Sequence, residues 1–294
     1  MIKSIFIFLI WLPFSYTVIA EEKPHLDIFN IGFYYPSINA VVSRTDFDIA
    51  VDIWIKEFKF AIDIQQTNVR LFDHIENMKT AFDNRELDLI VAPPLLIATN
   101  FDLNTLRDGF AGTSTTGEPY DIVVLTRKDS HIKTIGDVKN KRLVLPENDE
   151  LAKAFLNSLV IPVFDKPYYQ VFSSNLYFLK QNQIIHQLFF DKADVGVAFL
   201  ETFNLMADLN PQIKDKIKIL NQFPIKSPNY CFFHHQFSDA IREQFISRAL
   251  ELNNHIRSQE ILINFNMATI TACPVDSLQP FIKLKNKMNS YKSI

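Results

Sequence analysis

Glycine is scarce in this chain: only 6 of its 294 residues are glycine, whereas globular proteins average roughly 7%. Loops that bind phosphate groups need glycine because the backbone must approach the phosphate closely. The sequence contains neither the GxGxxG pattern nor the GxxxxGK pattern followed by serine or threonine. Glycine-rich nucleotide-binding loops are therefore excluded as the basis of its function.

A large charge imbalance is also missing, because the formal net charge is only −3. Nucleic-acid-binding domains usually carry a strongly basic face, so nucleic acid is not expected as a partner. We expect a globular monomer.

Signatures of catalysis and of metal binding are absent from the sequence as well. It has no HExxH pattern and no GxSxG pattern. His234 and His235 are adjacent on a predicted strand, where neighbouring side chains point to opposite faces and are poorly placed to chelate one ion. We therefore predict a protein that is not an enzyme, with no catalytic residues, no metal and no cofactor.

Cysteine occurs only twice, as Cys231 and Cys273. An even number of cysteines in an oxidising compartment permits one disulfide. Two separate buried thiols are the alternative, and the choice depends on the distance between the two Cα atoms.

The apolar run most similar to a membrane segment lies at the N-terminus. Lys3 precedes an apolar run that starts at Ile5, and Val18 and Ala20 occupy the small-residue positions of a cleavage site. These features predict a secretory signal peptide, residues 1–20, and a soluble mature protein in the periplasm. An uncleaved membrane anchor of similar length is the alternative.

What the sequence does contain is a repeated alternation of strand and helix patterns. In the first third, strands are predicted at 26–35, 61–66 and 87–93, and helices at 47–58 and 73–84. This alternation is typical of a mostly parallel sheet with right-handed crossovers. The sequence therefore predicts an α/β fold.

A second alternation follows a segment that is rich in glycine, serine and threonine. That segment, residues 107–121, contains three of the six glycines and is the predicted interdomain crossing, with 112–117 suited to a hinge. Beyond it the patterns predict strands at 121–128, 141–147, 168–174, 194–200, 216–224 and 229–237, and helices at 150–159, 175–193, from Glu201, at 238–255 and from Val275. The chain is thus expected to form two α/β lobes.

Four segments carry a resemblance to one family. IGFYYP (31–36) is similar to that family's first strand and ligand loop, and residues 78–98 are similar to its recurring helix, strand and proline-containing loop. The most specific match is DSHIKTIGDVKNKRLVL within residues 118–147, and HQLFFDKADVGVAFLE (186–201) resembles a helix-to-strand element. In this order they resemble the phosphate, phosphite and phosphonate binding components of ABC importers.

The resemblance implies a two-lobed periplasmic-binding-protein fold, in which each lobe is a mostly parallel sheet flanked by helices. A two-stranded hinge would join the lobes and let them close on a small molecule. It places residues 21–115 and 224–294 in lobe 1 and residues 116–223 in lobe 2. A membrane permease of an ABC importer is the implied partner.

Open α/β sheets bind ligands beyond the carboxyl ends of their strands, and this rule supplies the candidate site residues. The predicted ligand-binding residues are Tyr34, Tyr35, Pro93, Thr113, Ser114, Thr115, Tyr120, Asn148, Asp149, Ser173, Ser174, Asn175 and Glu201.

One of these strand ends departs from the family pattern. Family members that bind phosphonates have a Ser-Thr-Ser-type run there, whereas this sequence has Glu147, Asn148, Asp149 and Glu150. Two unit charges about 4 Å apart repel by ~4 kcal/mol at an effective dielectric near 20, so this turn argues against a phosphonate ligand.

Two interpretations of the acidic turn remain open. The carboxylates and Glu201 would pair with an amine of a cationic or neutral ligand, with tyrosines as a stacking surface. Alternatively, Asn148 or Asp149 is a helix N-cap and the acids simply complement the helix dipole.

The sequence therefore predicts an extracytoplasmic solute-binding protein of an ABC importer. The alternative is a ligand-sensing or ligand-less signalling module of the same fold, whose partner is a membrane sensor. The missing hydroxyls at the acidic turn motivate this alternative.

Overall fold

The computed structural model describes residues 25–34, 44–59, 62–114, 120–147, 149–178, 180–254, 262 and 267–289. In these residues the strands are β1 (His25–Tyr34), β2 (Asp63–Phe72), β3 (Leu89–Ala92), β4 (Leu106–Ser114), β5 (Ile122–Arg127), β6 (Arg142–Pro146), β7 (Ser174–Phe178), β8 (Val195–Phe199), β9 (Ile217–Phe223), β10 (Tyr230–His234) and β11 (Met267–Cys273). The α-helices are α1 (Arg44–Lys59), α2 (Ile75–Asp83), α3 (Pro94–Asn100), α4 (Glu150–Phe164), α5 (Tyr168–Val171), α6 (Gln181–Phe189), α7 (Leu200–Leu209), α8 (Pro211–Lys216), α9 (Asp239–Glu251) and α10 (Gln279–Asn289).

The first sheet has the strand order β11-β4-β10-β3-β1-β2. β1 is parallel to β2 and β3, whereas β10 is antiparallel to both of its neighbours, β3 and β4. Consequently β1 to β4 all end at one edge of the sheet. We call this the carboxyl edge of the first sheet, defined by Tyr34, Phe72, Ala92 and Ser114.

The second sheet has the strand order β7-β6-β8-β5-β9. β6 is parallel to β7 and β8, and β5 is antiparallel to β8 and β9. β6 to β9 therefore end at a common carboxyl edge, where β5 begins. The opposite edge, where β6 begins at Arg142 and β5 ends at Arg127, is the outer edge of the second sheet.

Central strands of both sheets are buried on both faces. All four residues of β3 are buried, and so are the first five residues of β5. The abundant phenylalanines fill the core of the first sheet, where Phe29 stacks on Phe245 with ring centroids 4.5 Å apart. The predicted α/β architecture with two helix-flanked sheets is confirmed.

The first part of the glycine-rich segment 107–121 belongs to β4, so only its later part, after Ser114, connects the two sheets. β4 runs to Ser114 in the interior of the first sheet. A Cβ atom on Gly109 would lie 2.0 Å from the backbone oxygen of Cys231. This glycine therefore permits a close backbone approach within the sheet rather than flexibility.

The segment after α4 also differs from the prediction. The predicted strand at 168–174 is the short helix α5, and the predicted helix at 175–193 begins with the strand β7 before α6. The backbone N–H of Tyr168 donates to Asn157 Oδ1 at 2.9 Å, which anchors the start of α5. Pairing along β6 then sets the strand at 174–178 and overrides its local helical pattern.

The two cysteines do not form the disulfide that the sequence permits. Cys231 lies on β10 and Cys273 on β11, with β4 between them. Neighbouring strands are about 4.8 Å apart, so these Cα atoms are separated by roughly twice that distance, beyond the ~7 Å reach of a disulfide. Both are free thiols, and burial raises the pKa of each.

The chain passes from the first sheet to the second between β4 and β5, and it returns between β9 and β10. Phe281 of α10 packs against both ends of the return segment, with ring centroids 5.6 Å from Phe223 and 6.0 Å from Tyr230. The division into lobes at residues 115 and 223 stays a prediction.

The predicted signal peptide, residues 1–20, lies outside the described residues. Of the helices that the structure describes, none combines the length and the hydropathy that a bilayer crossing requires.

Candidate functional site

Both connections between the sheets leave from carboxyl edges. The end of β4 leads to the start of β5, and the end of β9 leads to the start of β10. Because β10 begins at the carboxyl edge of the first sheet, the two carboxyl edges are neighbours. The space between them is the candidate ligand cleft.

Four predicted site residues lie along the carboxyl edge of the first sheet. Tyr34 is the last residue of β1, and Pro93 precedes the first turn of α3. Thr113 and Ser114 end β4, but the Thr113 hydroxyl lies 2.7 Å from Thr269 Oγ1 on β11 and is therefore engaged within the sheet.

Three more predicted residues lie along the carboxyl edge of the second sheet. Tyr120 precedes β5 and is buried in the core. Asp149 precedes α4, and Glu201 lies in the first turn of α7, directly after β8.

The placement of Ser173, Ser174 and Asn175 at a carboxyl strand end was wrong. Ser174 begins β7 and pairs with Arg142, the first residue of β6, and the backbone N–H of Ser173 donates to the Lys141 carbonyl at 2.9 Å. These three residues therefore lie at the outer edge, because the strand starts where the sequence pattern predicted that it ends.

Three predicted site residues, Tyr35, Thr115 and Asn148, lie outside the described residues.

Asp149 is the N-cap of α4, as the structural interpretation of the acidic turn predicts. Its Oδ1 accepts a hydrogen bond from the Ala152 backbone N–H at 2.9 Å, which satisfies a donor that has no partner inside the helix. Burial raises the pKa of Asp149, and the hydrogen bonds from the helix backbone oppose that shift. The carboxylate thus occupies the position at which a helix start would hold a ligand's anion.

Carboxylates from both sheets act electrostatically on Tyr34. The β1–β2 register pairs Tyr34 with Phe72, so Asp73 follows immediately beside it and Glu76 comes one turn later. Burial raises the pKa of the Tyr34 phenol, and the negative charges of Glu76, Glu150 and Asp73 raise it further. Since Glu150 begins α4 in the second sheet's layer, the two carboxyl edges contribute to one negative region.

Two further tyrosines lie close to this region and were missed by the sequence reasoning. Tyr177 of β7 pairs with Leu145 near the carboxyl end of β6. Its hydroxyl is 3.3 Å from the Tyr168 hydroxyl, and burial, this contact and the charge of Glu150 raise the pKa of Tyr168. Residues 174–178 show no alternation of apolar and polar residues, so the local sequence carries no signal for this strand.

Asp121 connects the segments that join the two sheets, and it too was missed. Its side chain is buried and accepts hydrogen bonds from the Ile225 backbone N–H at 3.0 Å and from Gln222 Nε2 at 2.5 Å. Its carbonyl accepts from the Leu200 backbone N–H at 2.7 Å. Asp121, which directly precedes β5, is thereby bonded to the return segment at Ile225 and to the start of α7 at Leu200.

Gln181 positions the same turn. Its Oε1 accepts a hydrogen bond from the Phe199 backbone N–H at 2.6 Å, and Phe199 is the N-cap of α7. The turn that carries Glu201 is therefore held by the side chain of Gln181, at the start of α6, and by the backbone carbonyl of Asp121.

The histidine pair does not have the predicted opposite orientation. β10 ends at His234, so strand alternation does not extend to His235, and their ring centroids are 4.5 Å apart. The described residues nevertheless contain no group of three His, Cys, Asp or Glu side chains that would hold a metal ion.

The family model for the periplasmic substrate-binding protein of a phosphonate ABC transporter matches residues 49–276. The match covers most of the chain, so this protein belongs to that family. The family is periplasmic, binds small molecules and works with an ABC transporter; it is a family of binding proteins rather than enzymes.

Solved structures with the same fold include XAC2383 from Xanthomonas citri bound to ATP, which is 11% identical over 91% of this chain and 99% of that chain, with a TM-score of 0.62. PhnD1 from Prochlorococcus marinus in complex with methylphosphonate is 13% identical over 90% of this chain and 98% of that chain, with a TM-score of 0.59. A phosphonate-transporter binding component from Pseudomonas aeruginosa is 11% identical over 92% and 88%, with a TM-score of 0.56. At these identities the likeness shows the fold, a two-lobed periplasmic binding protein. No curated protein sequence matches this chain significantly.

Proposed function

We propose that this protein captures a small solute between the two carboxyl edges, closes on it by a hinge motion and presents it to the permease of an ABC importer. The strand topology supports the proposal: the carboxyl ends of β1 to β4 and of β6 to β9 form two edges, and both connections between the sheets leave from them. A solute between the edges would contact both lobes at once, and such contacts favour the closed state.

The crossing segments are suited to a hinge. Two segments join the sheets, and the hydrogen bond from the Ile225 backbone N–H to the Asp121 side chain ties the return segment to the residue before β5. Rotation about this pair would move the lobes while each sheet stays rigid. The predicted signal peptide would deliver the protein to the periplasm as a monomer.

Thermal unfolding and small-angle X-ray scattering of the mature protein test this function with a panel of amines, amino acids, phosphonates and vitamins. We expect at least one solute to raise the unfolding temperature and to reduce the radius of gyration. A solute at one hundred times its Kd stabilises the folded state by about 2.7 kcal/mol. A complete panel that changes neither quantity would count against a solute receptor.

A matched pair of variants connects binding to the cleft. Tyr34→Ala removes a side chain at the carboxyl edge, whereas Tyr169→Ala removes an exposed tyrosine of α5. Only Tyr34→Ala should weaken the solute-induced compaction.

A second candidate function is a signalling module that gates a membrane sensor. It is favoured by the start of α4, where Asp149 satisfies the helix itself. Neighbouring permease and ATPase genes would support import, whereas a neighbouring kinase or cyclic-dinucleotide enzyme gene would support signalling.

A further inference from the structure

Lysines gather at the outer edge of the second sheet. Residues 127–142, which connect β5 to β6 at this edge, contain six lysine and arginine residues but only two aspartates. This segment therefore has a formal net charge of +4, whereas the whole chain has a net charge of −3. The outer edge is locally basic, although the protein as a whole is weakly acidic.

The arginines of this edge are neutralised by carboxylates, whereas the lysines are not. Arg127 Nε lies 2.8 Å from Asp129 Oδ1 and the same guanidinium contacts Asp191, while Arg142 Nη2 lies 2.8 Å from Asp194 Oδ1. Four lysines of the edge form no ion pair with any residue that the structure describes, and their side chains are exposed or half-buried: Lys128, Lys141, Lys192 and Lys216. Their positive charge is thus available to a partner.

Backbone and side-chain contacts bring these lysines onto one continuous surface. The backbone N–H of Lys128 donates to the Lys216 carbonyl at 2.7 Å, because β5 ends where β9 begins. Lys192 lies in the turn before β8, and the aspartates of that turn accept hydrogen bonds from Arg142 Nη2 at 3.1 and 2.8 Å. Lys141 directly precedes Arg142. The surface therefore extends across the starts of β6, β8 and β9.

An exposed aromatic ring lies beside these charges. Phe190, which follows the last residue of α6, is 62% exposed, and its ring centroid is 5.1 Å from that of Phe189. The ammonium group of Lys216 lies 4.4 Å from the centroid of the Phe189 ring. Lysines next to an exposed phenylalanine are typical of surfaces that adsorb to membranes, where the ring enters the headgroup region and the lysines attract anionic headgroups.

We propose that the outer edge of the second sheet adsorbs to a membrane surface that contains anionic phospholipids. The adsorbing surface consists of Lys128, Lys141, Lys192, Lys216 and Phe190. An acidic polypeptide would also attract the lysines, but a lipid surface buries the Phe190 ring without needing a shaped pocket.

Adsorption through this surface leaves the candidate ligand cleft open. The outer edge lies at the opposite end of the strands from the carboxyl edge of the second sheet, where the cleft is. A receptor held in this way would stay close to the membrane that contains its permease. The inference goes beyond the proposed function and does not depend on it.

Co-sedimentation with lipid vesicles tests the proposal on the wild-type protein and on two matched double variants. The vesicles consist of phosphatidylcholine alone or of phosphatidylcholine and phosphatidylglycerol in equal parts. Lys128→Gln/Lys192→Gln removes two exposed charges of the outer edge, whereas Lys56→Gln/Lys283→Gln removes two exposed charges from α1 and α10. Circular dichroism checks that each variant is folded.

We expect the wild-type protein to bind the vesicles that contain phosphatidylglycerol and not those of phosphatidylcholine alone. Lys128→Gln/Lys192→Gln should weaken this binding about tenfold or more, because each lysine near an anionic surface adds to the attraction. Lys56→Gln/Lys283→Gln should leave it unchanged, and added salt should weaken wild-type binding.

A second matched pair tests the aromatic ring. Phe190→Ser should weaken binding to the anionic vesicles several-fold, because the serine side chain has no apolar group to insert. Ile49→Ser removes an apolar side chain that is 55% exposed on α1 and should have no effect.

Failure of the wild-type protein to bind the anionic vesicles would overturn the inference, and so would equal losses in the outer-edge and control double variants. Binding to soluble polyglutamate but not to vesicles would assign the surface to an acidic protein partner and would also overturn it. The outer-edge variants should still be compacted by any solute that compacts the wild-type protein, so this inference and the proposed function fail separately.

Discussion

The two edges of the second sheet use their charges in opposite ways. At the outer edge, guanidinium groups face carboxylates directly: Arg142 Nη2 lies 2.8 Å from Asp194 Oδ1, and Arg127 contacts both Asp191 and Asp129. These contacts lower the pKa of each of the three carboxyl groups.

At the carboxyl edges, by contrast, several carboxylates lie together, and Lys153 pairs with one of them, Glu150. Asp149 caps α4, and Glu76 and Asp73 lie beside Tyr34 without an ion pair in the described residues. Paired charges at one edge stabilise the fold, whereas a concentration of one sign at the other costs stability and is typical of a functional site. The same residue types therefore have two roles, which the net charge of −3 conceals.

Removing Asp194 should produce the largest loss of stability. Its carboxylate accepts from the Arg142 backbone N–H at 2.8 Å, from Nε at 3.0 Å and from Nη2 at 2.8 Å. Asp194→Ala leaves these donors without their acceptor and should lower the free energy of unfolding by about 2–3 kcal/mol. Urea unfolding at pH 7 measures this change.

Asp208→Ala is the control for that measurement, because Asp208 is an exposed residue of α7 and surface changes of this kind stay within about 0.5 kcal/mol. Equal losses of unfolding free energy in the two variants would show that the hydrogen bonds between Asp194 and Arg142 add no stability beyond that of an exposed surface residue.

The second largest effect should be the pH dependence of the stabilisation that the contact between Arg142 and Asp194 provides. Arg142 holds the pKa of Asp194 below its ordinary range, and an unfolded aspartate titrates near about 3.9. The stabilisation is therefore fully present above about pH 4 and is lost as the pH falls through the lowered folded-state pKa. The difference in unfolding free energy between wild type and Asp194→Asn should shrink below pH 4; a difference that stays constant down to pH 2 would contradict this origin.

Neutralising a carboxylate at the carboxyl edge should have the smallest effect on stability. Glu76→Gln removes a negative charge near Asp73 and Tyr34 and breaks no ion pair of the described residues. We expect the free energy of unfolding to stay within about 0.5 kcal/mol of wild type or to rise slightly. A loss similar to that of Asp194→Ala in urea unfolding would show that Glu76 is a structural residue.

Sequence periodicity predicted the elements whose burial is uniform, and it failed where long-range pairing decides. The strand predicted at 87–93 from a continuous apolar run contains the fully buried β3, and the strand predicted at 121–128 contains β5, whose first five residues are buried. β4 was mistaken for part of the crossing, because only the position of the Cys231 backbone reveals why Gly109 is needed there. Whether the two cysteines can form a disulfide likewise depends on the order of the strands in the sheet, which local sequence patterns do not reveal.

The candidate site was predicted only in part, again because local patterns do not reveal how distant strands pair. Strand ends identified Tyr34 and Asp149 correctly as edge residues, because the ends of β1 and β6 follow from local pattern. Ser173 was misplaced because the pairing of β7 with β6 starts there. The link from Asp121 to Ile225 spans two crossings and has no local signature.

A crystal structure of the wild-type protein, purified from a periplasmic extract without added ligand, would show whether a solute lies between the two carboxyl edges. We expect a solute there that contacts residues at the ends of strands in both sheets. A solute bound elsewhere on the protein would rule out a receptor that closes on its ligand between these edges.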